Sequence, residues 1–147
     1  MKPIVSPNAR IRHPEHFEIG DSSIVDDISY FSTRVKIWCS SDDFVNDIVT
    51  IIPPGVRDVK QHVIAGDVSL ANCSAVGSNS VVMPNNHIPE GTVVGALSFV
   101  PAAFPFEPWS VYAGSPIRLV GRRNRDAVTM QARALRDQLD QLRTHDR

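Results

Sequence analysis

Between residues 64 and 100 the aliphatic positions recur at an interval that neither common element uses. Ile64, Leu70, Val76, Val82, Ile88, Val94 and Val100 follow one another in steps of six. An amphipathic helix repeats its apolar positions at three and four, and a single strand repeats at two. A second series stands four residues after each: Val68, Ser74, Ser80, Asn86, Thr92 and Ser98, of which all but Asn86 are Val, Ser or Thr. The residues directly after the aliphatic ones (Ala65, Ala71, Gly77, Met83, Pro89 and Gly95) are mostly small. A shorter echo runs through Ile19, Val25, Phe31 and Ile37. A fixed period of this kind marks a repeat architecture.

What the period can bury decides the fold. Each hexad makes a short strand and a turn, and three hexads close one coil of a parallel β-helix. The aliphatic residue points inwards and stacks on its counterpart one coil away: Ile64 under Val82 under Val100, and Leu70 under Ile88. The small residue four places later fits at the corner. Fully burying each aliphatic side chain is worth roughly 1.5–3 kcal/mol, and because no coil buries its own faces, stacking is obligatory. The pattern predicts an all-β solenoid over residues 1–123, with a coil at about 19–37, an inserted loop at 38–63, coils over 64–100 and a capping loop over 101–123. Only one coil is visible before the loop.

The inserted loop contains no hexad and carries Pro53-Pro54-Gly55. A long irregular excursion from a repeat is usually functional. "PAAFPFEPWS" (101–110) reads as a cover for the end of the column, with Trp109 packed there. Residues 124–147 read as a C-terminal α-helix with Asn124 or Asp126 as N-cap. Its stripe Val128, Ala132, Leu135, Leu139 and Leu142 packs on the β-helix or against symmetry mates.

Composition narrows the classes. The 147 residues carry a formal charge of −1, so nothing marks a general nucleic-acid or membrane footprint. Eleven prolines and eight glycines argue for turns rather than a helical bundle. Cys39 and Cys73 lack metal-type spacing and are too few for a disulfide framework. No apolar run reaches the ~18 residues of a membrane span, and "MKPIVSPNAR" has no apolar core of a secretory signal. A reduced, cytoplasmic setting is the expectation.

The hexads, "VVGALSFV" (93–100) and "WSVYAGSPIRLVGRR" (109–123) together resemble the hexapeptide-repeat, left-handed β-helix acyltransferases. Members commonly end their helix in a Val-Val/Ile-Gly-Ala-x-Ser-Val phrase, followed by a proline-bearing loop, Ala-Gly-x-Pro-Ala-Arg/Lys and a basic pair. Here Ala113-Gly114-Ser115-Pro116 matches and Ile117 replaces the usual Ala. The resemblance covers about residues 17–37 and 62–123. It implies left-handed winding, a homotrimer, and acyl-CoA sites in the grooves between neighbouring β-helices. It also implies that Gly77, Gly95, Ala96 and Ser98 line the pantetheine arm, where small residues permit close backbone approach. Ala113 and Gly114 then lie near the nucleotide end. Arg118, Arg122 and Arg123 are candidates for the CoA phosphates, which a guanidinium matches bidentately. The competing reading makes Gly77 a requirement of the coil itself and leaves the arginines solvated.

Attack on a thioester requires removal of a proton from the nucleophile. Relatives such as galactoside and maltose acetyltransferases supply a histidine at the start of the inserted loop, where this chain has Asp42 or a neighbour. Three explanations stand open. The Asp42/Asp43 pair orients an amine and takes its proton, which favours N-acylation of an amino sugar; or His62 reaches the site from the loop's far end; or the chain is catalytically weak. His87 falls at a hexad end and reads as a corner residue. The leading expectation is acetyl transfer from acetyl-CoA, without a metal, to a sugar or nucleotide-linked amino sugar in surface-polysaccharide assembly. A non-catalytic trimeric scaffold is the alternative. A γ-type carbonic anhydrase shares the fold but needs a closely spaced zinc histidine pair, and His62 and His87 are too far apart in sequence to be one.

Overall fold

A computed structural model describes residues 4–5, 7, 10–11, 18–19, 24–25, 29–42 and 63–145. Short strands follow one another in rotation. β1 (Ile4–Val5), β2 (Arg10–Ile11) and β3 (Glu18–Ile19) make one circuit; β4 (Ile24–Val25), β5 (Tyr30–Phe31) and β6 (Lys36–Ile37) make the next. The chain leaves through β7 (Ser40–Asp42) and returns through β8 (Val63–Ala65). A third circuit comprises β9 (Val68–Leu70), β10 (Ala75–Val76) and β11 (Val81–Val82); a fourth comprises β12 (Asn86–Ile88), β13 (Val93–Val94) and β14 (Phe99–Val100). β15 (Ser110–Ala113), β16 (Arg118–Arg122) and the helix α1 (Arg125–His145) complete the chain.

Strands from successive circuits pair in parallel. The first sheet has the order β1-β4-β9-β12, the second β2-β5-β10-β13-β15 with β16 antiparallel at its end, and the third β3-β6-β11-β14. Leu70 stands opposite Ile88, Val76 opposite Val94, and Val82 opposite Val100. Each is the partner three hexads away, as the six-residue count requires. The aliphatic column is fully enclosed: Phe31, Ile37, Leu70, Val76, Val82, Ile88, Val94 and Val100 are at most 1% exposed.

Four expectations change. Ile64 is not in the column; it sits half-buried in β8, which pairs antiparallel with β7, and Val82 stands instead on Ile37. The pairing of Ser40 with Ala65 and Asp42 with Val63 closes the excursion at its base, so the coils resume at Val68. Two circuits precede the loop, not one. Val5 and Ile11 stand opposite Val25 and Phe31, two residues further off than three hexads, and this slip hides the first circuit from a six-count. Past Val100 the count goes on through Phe106 and Tyr112. With Phe104 these rings form an edge-to-face cluster, centroids 4.8–5.5 Å apart, over the end of the column. Residues 101–123 are therefore a further partial circuit closed by a strand pair rather than an irregular cap.

The turns keep the same period. Cys73, Asn79, Asn85, Gly91, Leu97, Ala103 and Trp109, six apart, all have left-handed φ between 54° and 69°. Glycine is indispensable at one of them: a Cβ on Gly91 would lie 2.2 Å from the Trp109 ring, which rests flat on it. That contact gives Trp109 the packing role expected of it. The small polar series points inwards, and apart from Ser74, whose buried Oγ has no hydrogen-bond partner among the described residues, its polar side chains are satisfied there. Ser80 Oγ donates to Gly95 O (2.9 Å) and Thr92 Oγ1 to Glu107 O (3.0 Å), each tying one circuit to the next.

Asn124 caps α1, its Oδ1 accepting from Ala127 N at 3.0 Å. The helix's first half borders an open groove of about 360 Å³ whose other side is formed by Tyr30, Cys73 and Ala75. Val128, Ala132 and Leu139 are half-buried, whereas Leu135 and Leu142 are exposed. Among the described residues no helix is long and apolar enough to cross a membrane.

Candidate active site

The edge where the second sheet turns into the third collects most of the expected cofactor residues. Gly77 follows β10, Gly95 follows β13, and Ala113 closes β15, so the three lie in one column along the edge. Backbone bonds fix their spacing: Gly77 N donates to Val94 O (2.8 Å) and Gly95 N to Tyr112 O (2.7 Å). A Cβ on Gly77 would fall 2.5 Å from Ala96 N and 2.8 Å from Gly95 C. Gly77 is therefore required by the stacking itself, because nothing larger than hydrogen fits beneath the next turn. Gly95 has more room, with its hypothetical Cβ 3.0 Å from Ala113 Cβ. Ala96 is exposed at the turn.

Ser98 departs from its expected role. It is 3% exposed, and its hydroxyl donates to Gly95 O at 2.7 Å and accepts from Gly114 N at 3.1 Å. The side chain ties two circuits together inside the column and is not on the surface for a pantetheine arm. Gly114, with φ of +108°, makes the reversal between β15 and β16.

The three arginines diverge. Arg123 Nη1 donates to Cys73 O (3.0 Å) and Gly91 O (2.6 Å), while its backbone N donates to Trp109 O (2.8 Å). It thus staples three successive turns on the edge between the first and second sheets. Arg122 pairs with Glu107, and its Nη1 donates to Ser110 Oγ at 3.1 Å. Arg118 stands opposite Ala113 in the β15–β16 pair and is exposed, and its side chain makes no hydrogen bond or ion pair with any described residue. Of the three, it alone combines an open guanidinium with a place beside the small-residue edge. Leu97 and Phe99, 73% and 38% exposed, give that edge an apolar margin.

Of the expected proton-transfer groups, Asp42 ends β7 at the loop base, opposite Val63 in the strand that follows His62 in sequence. Asp43 and His62 lie outside the described residues. His87 is not a corner residue. It is the middle residue of β12 and points out from the first sheet between buried Asn86 and Ile88. Its Nδ1 lies 2.6 Å from Oγ of Ser69, its ladder partner in β9. The hexad holds the signal for this pair: both residues stand one before an aliphatic position, three hexads apart, which places them side by side on the outer wall. Among the described residues no group of His, Cys, Asp or Glu could hold a metal ion.

Comparison with known proteins agrees with this architecture. A probable macrolide acetyltransferase from Lysinibacillus sphaericus is 26% identical over 121 residues, 76% of this chain and 66% of that protein. The match thus spans just under two thirds of the relative's length. The N-acyltransferase AntD from Bacillus cereus, solved with dTDP and 3-hydroxybutyryl-CoA, superposes with a TM-score of 0.63 at 24% identity, covering 92% of this chain and 88% of that one. A serine acetyltransferase from Brucella abortus superposes with a TM-score of 0.53 at 14% identity, covering 84% and 41%. No family model matches the chain. In its six-residue repeat and its three parallel sheets the chain shares the fold of these acyltransferase structures.

Proposed function

We propose that the protein is a CoA-dependent acyltransferase on a left-handed parallel β-helix, transferring acetyl from acetyl-CoA to a nucleotide-linked amino sugar or a related sugar. The observation that carries this reading is the Gly77–Gly95–Ala113 edge with Arg118 unpaired beside it. A long thin cofactor needs a wall free of large side chains along its length and a cation for its phosphates. Gly77, Gly95, Ala96, Ala113 and Gly114 supply the wall by their backbones, and Arg118 is the phosphate contact. AntD, whose crystals hold CoA together with dTDP or dTDP-4-amino-4,6-dideoxyglucose, supports this choice of donor and acceptor class.

The working unit in this reading is a homotrimer. The exposed Leu135 and Leu142 on α1 and the partly open Ala75, Val93 and Val111 on the second sheet are apolar surface that a neighbouring copy would cover. The inserted loop shapes the acceptor pocket, and Asp42, Asp43 and His62 at its two ends orient the acceptor amine. The setting is cytoplasmic assembly of surface polysaccharide. A second acceptor class, a macrolide hydroxyl, is favoured by the relative from Lysinibacillus sphaericus.

Calorimetric titration with acetyl-CoA and with 3′-dephospho-CoA tests the donor site. Saturable binding, weakened when the 3′-phosphate is removed, is expected. A folded protein that binds neither overturns the acyltransferase reading in favour of a non-catalytic β-helix scaffold. Turnover with dTDP-4-amino-4,6-dideoxyglucose against a macrolide then separates the acceptors.

A further inference from the structure

We propose that the Ser69–His87 pair on the outer wall of the first sheet performs proton transfer in this chain, with His87 as the base and Ser69 as its positioning residue. The inference rests on the acyltransferase reading and supplies, from the β-helix wall, the basic histidine that this chain lacks at the start of the inserted loop.

Three observations support it. His87 is exposed at the centre of β12 while both its strand neighbours are buried, so its backbone is held by the column and its ring stands clear of it. Its Nδ1 lies 2.6 Å from Ser69 Oγ, and Ser69 is held the same way in β9 between Val68 and Leu70. Both members of the pair sit on paired strands, a more rigid mounting than a loop. The hydroxyl can accept from Nδ1–H, which leaves the lone pair on Nε2, the nitrogen pointing away from the serine. Finally, the pair shares its wall with the strand at which the chain re-enters the column after the excursion, beside the β7–β8 base.

Placement in the fold adds a consequence. The chain visits the first, second and third sheets in rotation, so the edge between the second and third lies across the column from the first. His87 and the Gly77–Gly95–Ala113 edge therefore face opposite ways within one chain. They meet only when the wall of one copy faces the edge of another, and each site then takes its base and its donor groove from different copies. In the step itself, Nε2 removes a proton from the acceptor nitrogen or oxygen as that atom bonds to the thioester carbonyl carbon. The carbon–sulfur bond breaks, and the same proton passes to the departing CoA thiolate, so the imidazole ends neutral.

The test uses the full chain in three forms: wild type, His87→Gln and Ser69→Ala. CoA release from acetyl-CoA is followed with dTDP-4-amino-4,6-dideoxyglucose, with a macrolide and with water alone, beside calorimetric acetyl-CoA binding. The expected result is a kcat about 100-fold or more lower in His87→Gln, with acetyl-CoA affinity kept within about threefold. The fall in rate on acidification should disappear with the imidazole. Ser69→Ala should lower kcat about tenfold and Ser69→Thr should restore it, with KM unchanged in both. Mixed assemblies of His87→Gln with Gly95→Trp chains should recover activity that neither variant has alone. Acetyl-CoA binding with His87→Gln as active as wild type overturns this inference and leaves the acyltransferase intact. Loss of acetyl-CoA binding by wild type overturns both.

Discussion

Asn86 breaks the Val/Ser/Thr rule of its series, and replacing it by the residue the repeat prefers should harm the protein. Its side chain is 1% exposed and makes three hydrogen bonds. Nδ2 donates to Met83 O at 2.8 Å and to Pro101 O at 2.9 Å, and Oδ1 accepts from Phe104 N at 2.9 Å. Two of these hold the segment that carries Phe104 and Phe106 over the end of the column. Asn86→Val removes all three. Each bond is worth about 1 kcal/mol net, and a buried group left without a partner costs about 1–3 kcal/mol more. Valine recovers about 1–2 kcal/mol by burial. The balance is a loss of about 3 kcal/mol, and Asn86→Ser, which recovers less, should lose slightly more. Urea unfolding at fixed protein concentration measures it: with m near ~2 kcal/mol/M, the midpoint should fall by about 1.5 M. Restoring the consensus with a midpoint within about 0.3 M of wild type would refute the claim that Asn86 anchors the cover.

Other substitutions separate structure from binding along the same column. Arg123→Ala should lower stability by about 2–4 kcal/mol, since it removes two charge-assisted bonds to turn carbonyls, and thermal unfolding reads this directly. Arg118→Ala should leave stability within about 0.5 kcal/mol while reducing acetyl-CoA affinity and abolishing the preference over 3′-dephospho-CoA. Gly77→Ala pushes a methyl into the backbone of Gly95 and Ala96 and should cost about 2 kcal/mol or more. Gly95→Ala should cost less than Gly77→Ala, and Gly121→Ala, with nothing within 4 Å of the added carbon, should leave the unfolding midpoint unchanged. Leu135→Asp, on the exposed stripe of α1, should lower the sedimentation mass towards that of one chain if the helix packs between copies.

The interior of this protein was legible in its sequence because each hexad sees the same environment three hexads later. Leu70 and Ile88 had to share a wall, as had Val82 and Val100, and Ser80 and Ser98 had to share the interior, whatever the hand of the winding. The start of the helix was likewise legible to within two residues, Asn124 or Asp126, since an N-cap is decided within one turn, and Asn124 fills the role. The count failed wherever two segments distant in sequence settled the matter. Ile64 keeps the six-residue phase but is captured by β7, because closing the long excursion takes an antiparallel pair. The circuit through Val5 and Ile11 was concealed by a two-residue slip that only its parallel pairing to Val25 and Phe31 reveals. Arg122 and Arg123 look alike in a basic pair, yet one meets a carboxylate and the other two carbonyls from turns far away in the chain. The Ser69–His87 contact is tertiary in the same sense. From the sequence His87 reads as a corner residue; its place in mid-strand beside Ser69 and the 2.6 Å hydrogen bond depend on the register between two strands and on two side-chain rotamers. A sequence period specifies which face a residue occupies; which partner it meets there is fixed only when the circuits stack.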